Sequence, residues 1–248
     1  MRIFATIISF LLFSFAPHAQ TLESNHKYIW KNDKSGISAA VEIYGLNQSN
    51  PSFCIFFLNS VDTLYNNVSD SLFNEYANIS SLKCPIVKIS FYNNLDTASA
   101  IRMKLYADEF SDFIIADAMK KLPAVKANNY IVSGIDFFAA VVLYASSTNA
   151  KKINKTALFL NETDNASLLK SIGQTDLKKL KGKLYLYVNH QHKEKLFADS
   201  VATDIALNSN IVLYKFDHFS TYESSFIFDE AYNWLLADGN NFIIRGEY

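Results

Sequence analysis

The chain of 248 residues is predicted to be an α/β protein with a mostly parallel central sheet and helices on both faces. Three observations predict this class. Residues 53–58 and 86–91 are short and largely apolar, as is typical of strands covered on both faces. Stretches with helical spacing of apolar residues separate such strands. This alternation favours right-handed βαβ units, which build parallel sheets.

The N-terminal 19 residues have the features of a secretory signal peptide. Arg2 supplies a positive charge, Ile3 to Phe15 is apolar, and small residues precede Gln20. The apolar run is shorter than the ~20 residues of a transmembrane helix, so no membrane span is expected. An uncleaved interfacial anchor is the alternative. We therefore expect a secreted or periplasmic protein, with residues 1–19 as signal peptide and 20–248 as a single domain.

The remaining elements follow from local patterns along the chain. Two antiparallel strands, residues 28–31 and 37–44, are expected to flank the turn-rich segment 32–36. Further strands are predicted at 53–58, 86–91, 130–132, 156–160, 184–188 and 211–214, the last closing the sheet. Helices are predicted at 71–82, 103–122, from 137 onward, 196–207 and 222–236.

Ligands of open parallel sheets bind at the carboxyl ends of the strands, so the residues at those ends are candidates for function. In this chain most of them are polar. The predicted rim comprises Asn59, Ser60, Tyr92, Asn93, Asn94, Asp136, Asn161, Glu162, Asn189, His190, Asp217 and His218.

The segment from Asn128 to Ala145 is predicted to be a buried strand that turns sharply into an apolar helix, with Asp136 at the turn. A nucleophile elbow, G-x-S-x-G, uses such a turn to present a serine at the top of the sheet. Here Gly134 keeps the first glycine, Asp136 replaces the serine, and Phe138 replaces the second glycine. The pattern predicts the scaffold of an elbow with altered chemistry.

The order of elements, the elbow, and the local phrases at residues 110–114 and 217–220 resemble the secreted esterases of the α/β-hydrolase superfamily. That group includes the esterase D-like and enterochelin-esterase-like enzymes. The resemblance implies a triad in the chain order serine, acid, histidine. By position, Asp136 stands for the nucleophile, His218 for the histidine, and Glu194 is the nearest carboxylate for the acid. We therefore expect a hydrolase-like protein that lacks serine-hydrolase activity and acts as a pseudoenzyme or binding protein.

Three interpretations of Asp136 remain open at this stage, and one of them is a binding or metal-ligating role. Aspartate is a favourable helix N-cap, and Phe138 supports that structural role because its side chain would crowd the packing of helix on strand. Alternatively, Asp136 and His218 resemble the nucleophile and histidine of haloalkane dehalogenases and epoxide hydrolases, which form an ester intermediate. Those enzymes carry a helical cap, for which residues 161–183 are too few. With an ordinary ester, an attacking aspartate would give a mixed anhydride. Moreover, residues 59–62 lack the glycines that usually accompany an oxyanion hole.

Composition and the remaining reactive side chains narrow the function further. A net charge of −1 gives no electrostatic reason to bind nucleic acid, and no cofactor motif occurs. His190 and His192 have a spacing that suits a metal ligand pair, so a metal-binding protein is a third alternative.

Cys54 and Cys84 are expected to be buried thiols rather than a disulfide, because a bridge between neighbouring parallel strands is geometrically awkward. The expected partner is an unknown small molecule or protein ligand.

Overall fold

A computed structural model of the chain describes residues 26–45, 53–61, 84–92, 99–122, 130–149, 153, 155–160, 179–180, 182–189, 211–216, 231–232, 234–235 and 245–246. Within these residues one sheet contains the strands β1 His26–Asn32, β2 Ile37–Tyr44, β3 Cys54–Ser60, β4 Ile86–Phe91, β5 Tyr130–Ile135, β6 Lys155–Leu160, β7 Lys183–Asn189, β8 Ile211–Phe216 and β9 Arg245–Gly246.

The strands are arranged in the order β1-β2-β4-β3-β5-β6-β7-β8-β9. Strand β2 is antiparallel to both of its neighbours. Every other pair in the sheet is parallel. The predicted α/β class with a mostly parallel sheet is therefore confirmed.

Most predicted strands match the observed ones closely, and β2 and β4 have the predicted bounds. The expectation that residues 211–214 form the last strand is wrong, because β9 pairs in parallel with β8. A strand of two residues is too short to show an alternating pattern in the sequence. The predicted helices at 71–82 and 196–207 lie outside the described residues. Of the predicted helix 222–236, residues 231–232 and 234–235 are described and are helical.

The predicted helix at 103–122 is observed as three consecutive segments. Helix α1 spans Ala100–Glu109, a π-helical segment spans Phe110–Ile114, and helix α2 spans Ile115–Lys121. Ser99 caps α1 by accepting a hydrogen bond of 3.3 Å from Arg102 N. Leu122 ends α2 with an extended backbone, as expected for the residue before a proline, Pro123.

The sheet is covered on both faces, as its apolar strands predict. One buried cluster joins strand residues such as Phe56 and Val132 to α1, the π segment, α2 and helix α3, Phe137–Thr148. The other cluster joins Phe57 and its neighbours to the helical residues near Tyr232. Among the described helices, none is long and apolar enough to cross a membrane.

The β1 side of the sheet is held by charged and amide side chains. Lys27, Glu42 and Lys88 are aligned across β1, β2 and β4. Glu42 forms an ion pair with Lys27, lies 3.9 Å from Lys88 Nζ, and accepts a hydrogen bond of 3.1 Å from Tyr44. At the end of β1, Asn32 Nδ2 lies 3.0 Å from both carboxylate oxygens of the buried Glu109. This contact ties the β1–β2 turn to the end of α1.

Both cysteines are buried free thiols, as expected. Burial raises the pKa of Cys84 to about 12. Burial also raises the pKa of Cys54 well above its ordinary value, with a smaller contribution from Cys84. Because the thiolate is the nucleophilic form, these values argue against a catalytic role for either residue.

Candidate functional site

The predicted sharp turn at Asp136 is present between β5 and α3. Asp136 has φ 51° and ψ −116°, and it is the one non-glycine residue with positive φ among those described. This ψ lies far from the left-handed helical region that aspartate tolerates. A backbone of this kind costs on the order of 1–3 kcal/mol and persists only where the surrounding structure imposes it.

The structure imposes this turn by close packing between β5 and α3. An added Cβ atom on Gly134 would lie 2.6 Å from the carbonyl carbon of Phe138 and 2.9 Å from Ala139 N, and it would be closer still to the Phe138 oxygen. Only glycine fits there, because the obstacle is main chain rather than a movable side chain. The close contact with the main chain therefore explains why the elbow requires glycine at position 134.

The expectation that Phe138 would crowd this packing is wrong. Its ring is buried, stacks on the Phe91 ring at a centroid distance of 5.0 Å and an angle of 5°, and contacts Tyr106 edge to face. It is the Phe138 main chain that faces Gly134. An aromatic residue at the second glycine position is therefore compatible with the elbow.

The backbone of Asp136 is tied to its surroundings. Asp136 N donates a hydrogen bond of 2.8 Å to the carbonyl of Phe159 on β6, and Asp136 O accepts one of 2.9 Å from Ala139 N. Although Asp136 occupies the N-cap position, its side chain makes no capping hydrogen bond to α3. The N-cap interpretation is therefore wrong for the carboxylate. A capping residue normally has an extended backbone, which Asp136 lacks.

The end of strand β3 lies beside the turn at Asp136. Leu58 of β3 pairs with Gly134, so Ser60 extends to the level of Asp136. Asn59 and Ser60 are both buried. Val61 N donates a hydrogen bond of 2.9 Å to the Phe91 carbonyl, and this amide is therefore engaged in the sheet.

An elbow places the amide of the next residue, here Phe137, where it can stabilise an oxyanion. The second donor of such a hole comes from the loop after β3. Because Val61 N is engaged, that donor would have to come from residues beyond 61, which lie outside the described part of the chain. The Phe137 amide was not singled out from the sequence, although its position directly after the elbow residue was a sufficient signal.

A buried hydrogen-bond chain lies below the elbow. The Tyr232 hydroxyl donates to Ser133 Oγ at 2.6 Å, and Ser133 Oγ donates to the Phe56 carbonyl at 3.1 Å. Ser133 and Tyr232 are fully buried. Ser133 therefore belongs to the interior of β5 and not to the turn. No local pattern predicted its hydrogen bond with Tyr232, which is 99 residues away in the chain.

The other proposed site residues lie outside the described residues. Glu194, His190, His192 and His218 are among them. His190 directly follows β7, and His218 comes two residues after β8, which is the third strand from β5 in the sheet order. The altered triad of Asp136, His218 and Glu194 and the metal pair of His190 and His192 remain predictions.

Comparison with known proteins finds similarity in structure but not in sequence. No protein-family model matches the chain, and no curated protein matches its sequence. S-formylglutathione hydrolase from Staphylococcus aureus is similar at 14% identity and a TM-score of 0.53, over 87% of this chain and 98% of that one. The S-formylglutathione hydrolase from Agrobacterium tumefaciens gives 9% identity, a TM-score of 0.59, and 86% and 98% coverage.

A third similar structure is the siderophore hydrolase EstB from Aspergillus nidulans. It is 10% identical, with a TM-score of 0.56, over 88% of this chain and 98% of that one. The likeness spans nearly the whole length of each hydrolase. At such low identity the likeness establishes a shared fold. The substrates named for the similar proteins are properties of those proteins.

Proposed function

We propose that this chain, which has the α/β-hydrolase fold of esterases, is an exported protein without serine-hydrolase activity. In this proposal the rim around Asp136 binds a small molecule or a protein ligand. The observation that carries it is the elbow itself: the strained turn and the tight glycine are kept, but an aspartate stands at the nucleophile position.

The chemistry of a carboxylate supports loss of esterase activity. Attack of Asp136 on an ester carbonyl would form a mixed anhydride in place of an acyl-serine. In addition, a negative carboxylate beside the Phe137 amide opposes the negative charge that develops on the carbonyl oxygen in the transition state. A retained scaffold with a changed reactive group is consistent with a binding role.

A second candidate is an active hydrolase with Asp136 as nucleophile and His218 as base. The φ of 51° at Asp136 favours this candidate, because strain of this kind concentrates at functional sites. Attack would occur on a tetrahedral carbon, and the carboxylate would form an ester that a histidine-activated water cleaves.

Activity measurements on three proteins distinguish the two candidates. Wild type, Asp136→Asn and Asp136→Ser are assayed with short activated esters and with haloalkanes. Under the proposal, neither wild type nor Asp136→Asn turns over any substrate. Asp136→Ser is the one protein of the three in which ester hydrolysis is compatible with the proposal. Turnover by wild type that Asp136→Asn abolishes would overturn the proposal and support the aspartate nucleophile.

The binding role has its own readout, because a ligand that binds only the folded state raises the melting temperature. A panel of small esters, acids and amines is screened by thermal shift. A compound that stabilises wild type should lose its effect in Asp136→Asn if the rim is the site. An equal shift in both proteins would place binding elsewhere.

Cell fractionation and N-terminal sequencing test the proposed export. If the protein is exported, it should be found outside the cytoplasm with its N-terminal segment removed.

A further inference from the structure

The outward side of α1 and the π segment carries apolar side chains that are exposed in the described part of the chain. Ile101 is 81% exposed, Leu105 40% and Phe113 52%. The other large apolar side chains that are exposed among the described residues, Ile29 and Tyr92, lie on different elements, β1 and the end of β4. A cluster of three on one short helical stretch is unusual for a surface that faces only water.

Charged side chains run beside these apolar ones and are segregated by sign along the helix. Lys104 is exposed in the first half, and Asp108 and Asp112 are exposed in the second half. Positions 101, 105 and 108 recur at intervals of four and three, so they lie on one side of α1. Burial, followed by the charges of Asp112 and Glu109, raises the pKa of Asp108, with Lys104 opposing. The second half of the helix thus carries neighbouring carboxylates, while Lys104 Nζ lies 5.6 Å from the centroid of the Tyr144 ring on α3.

We propose that this side of α1 and the π segment, which we call the α1 face, binds a second copy of this chain with the two helices antiparallel. In a two-fold contact every interaction occurs twice. The antiparallel orientation places Lys104 against Asp108 of the partner subunit and the partner's Asp112. A parallel orientation would place like charges together. Charge complementarity along the α1 face thus selects both the occupant and its direction.

The apolar and charged pairs agree on one position for the two-fold axis. If Ile101 lies opposite Phe113 of the partner subunit, the two-fold axis passes at the midpoint, Ala107. If Lys104 lies opposite the partner's Asp108, the axis passes at Tyr106. If Lys104 lies opposite the partner's Asp112, the axis passes at Asp108. These axis positions lie within one residue of Ala107, so one docking brings all three pairs together. It also brings Asp108 near the partner's Asp108, but the opposite-charge contacts of the two copies of Lys104 outnumber this like-charge one. A single helix pair buries less than the ~800 Å² per partner of a standard interface, so the dimer is expected to be weak.

Analytical ultracentrifugation of the purified full-length chain, from about 1 µM to about 500 µM, measures the association. Wild type should show a reversible monomer–dimer equilibrium. Lys104→Asp alone, and Asp108→Lys with Asp112→Lys, should each weaken dimerisation about tenfold or more by opposing like charges. All three changes together should restore the affinity to within about threefold of wild type, because the pairs re-form with reversed sign. Lys34→Asp, on the exposed β1–β2 turn, is the control for altered net charge and should leave the affinity unchanged.

Ile101→Lys tests the apolar half of the α1 face separately. This side chain is 81% exposed, so the folded monomer should keep its circular dichroism and melting temperature while dimerisation is lost. A monomer at every concentration, a dimer that Lys104→Asp and Ile101→Lys leave intact, or a triple variant that does not recover would each overturn the proposal.

Discussion

Gly134 lies against the main chain of Phe138, so near that a Cβ atom would come within 2.6 Å of the Phe138 carbonyl carbon. This contact joins β5 to α3 across the turn at Asp136. It explains why the elbow keeps its first glycine while the second has become a buried aromatic residue.

Gly134→Ala should lower the free energy of unfolding by at least about 3 kcal/mol, because β5 and α3 must separate to admit the methyl group. Urea unfolding measures the loss. Gly36→Ala is the matched control: Gly36 has φ +71° but nothing within 4 Å of its added Cβ. It should cost only about 1 kcal/mol, from backbone strain alone. Equal losses at the two sites would show that the close contact has no special weight.

Asp136→Gly should be more stable than Asp136→Ala by about 1–2 kcal/mol. Both variants remove the carboxylate, but only glycine adopts φ 51° and ψ −116° without steric strain. Thermal and urea unfolding of the pair measure this difference, and the carboxylate's own contacts cancel from it. An alanine variant as stable as the glycine variant would contradict strain at the elbow.

Tyr232→Phe should lower the free energy of unfolding by about 1–2 kcal/mol, because Ser133 Oγ loses its donor inside the core. Ser133→Ala should cost a similar amount. In a double-mutant cycle the two changes should show a coupling of roughly 1 kcal/mol. Tyr92→Phe, at an exposed position, should change stability by less than about 0.5 kcal/mol. Simple additivity of Tyr232→Phe and Ser133→Ala would argue against this hydrogen bond.

Glu42 should make stability depend on acid pH. Burial raises the pKa of this carboxyl, but hydrogen bonds from Lys27 and Tyr44 and the charge of Lys88 outweigh burial, so the pKa lies below its ordinary value. A lowered pKa in the folded state gives stability that is present above the unfolded pKa of about 4.3 and is lost as pH falls through the folded value.

Glu42→Gln should therefore be less stable than wild type by roughly 1 kcal/mol at neutral pH, and this difference should shrink on acidification. Urea unfolding from about pH 7 to about pH 3 measures it. Asp33→Asn, at a carboxylate with 84% side-chain exposure, controls for general charge effects. A deficit of Glu42→Gln that stays constant over this range would contradict the assignment.

Local sequence patterns were sufficient for most of the framework. The apolar runs of β3 and β4 predicted buried strands, because a strand covered on both faces must be apolar throughout. Gly134 near the end of β5 and Asp136 directly after that strand predicted the place of the elbow. The expectation of two buried free thiols followed from the awkward geometry of a disulfide between neighbouring parallel strands.

Local patterns thus predicted the order of strands and helices along the chain and the position of the turn, since these depend on residues close together in the sequence. Tertiary structure decided how Asp136 is used: it is strained rather than capping, because β5, β6 and α3 fix its backbone from three sides. It also decided that the Phe138 ring stacks on Phe91 and that Tyr232 bonds to Ser133. Those pairings join residues distant in the chain, so no local pattern of apolar and polar residues contains them.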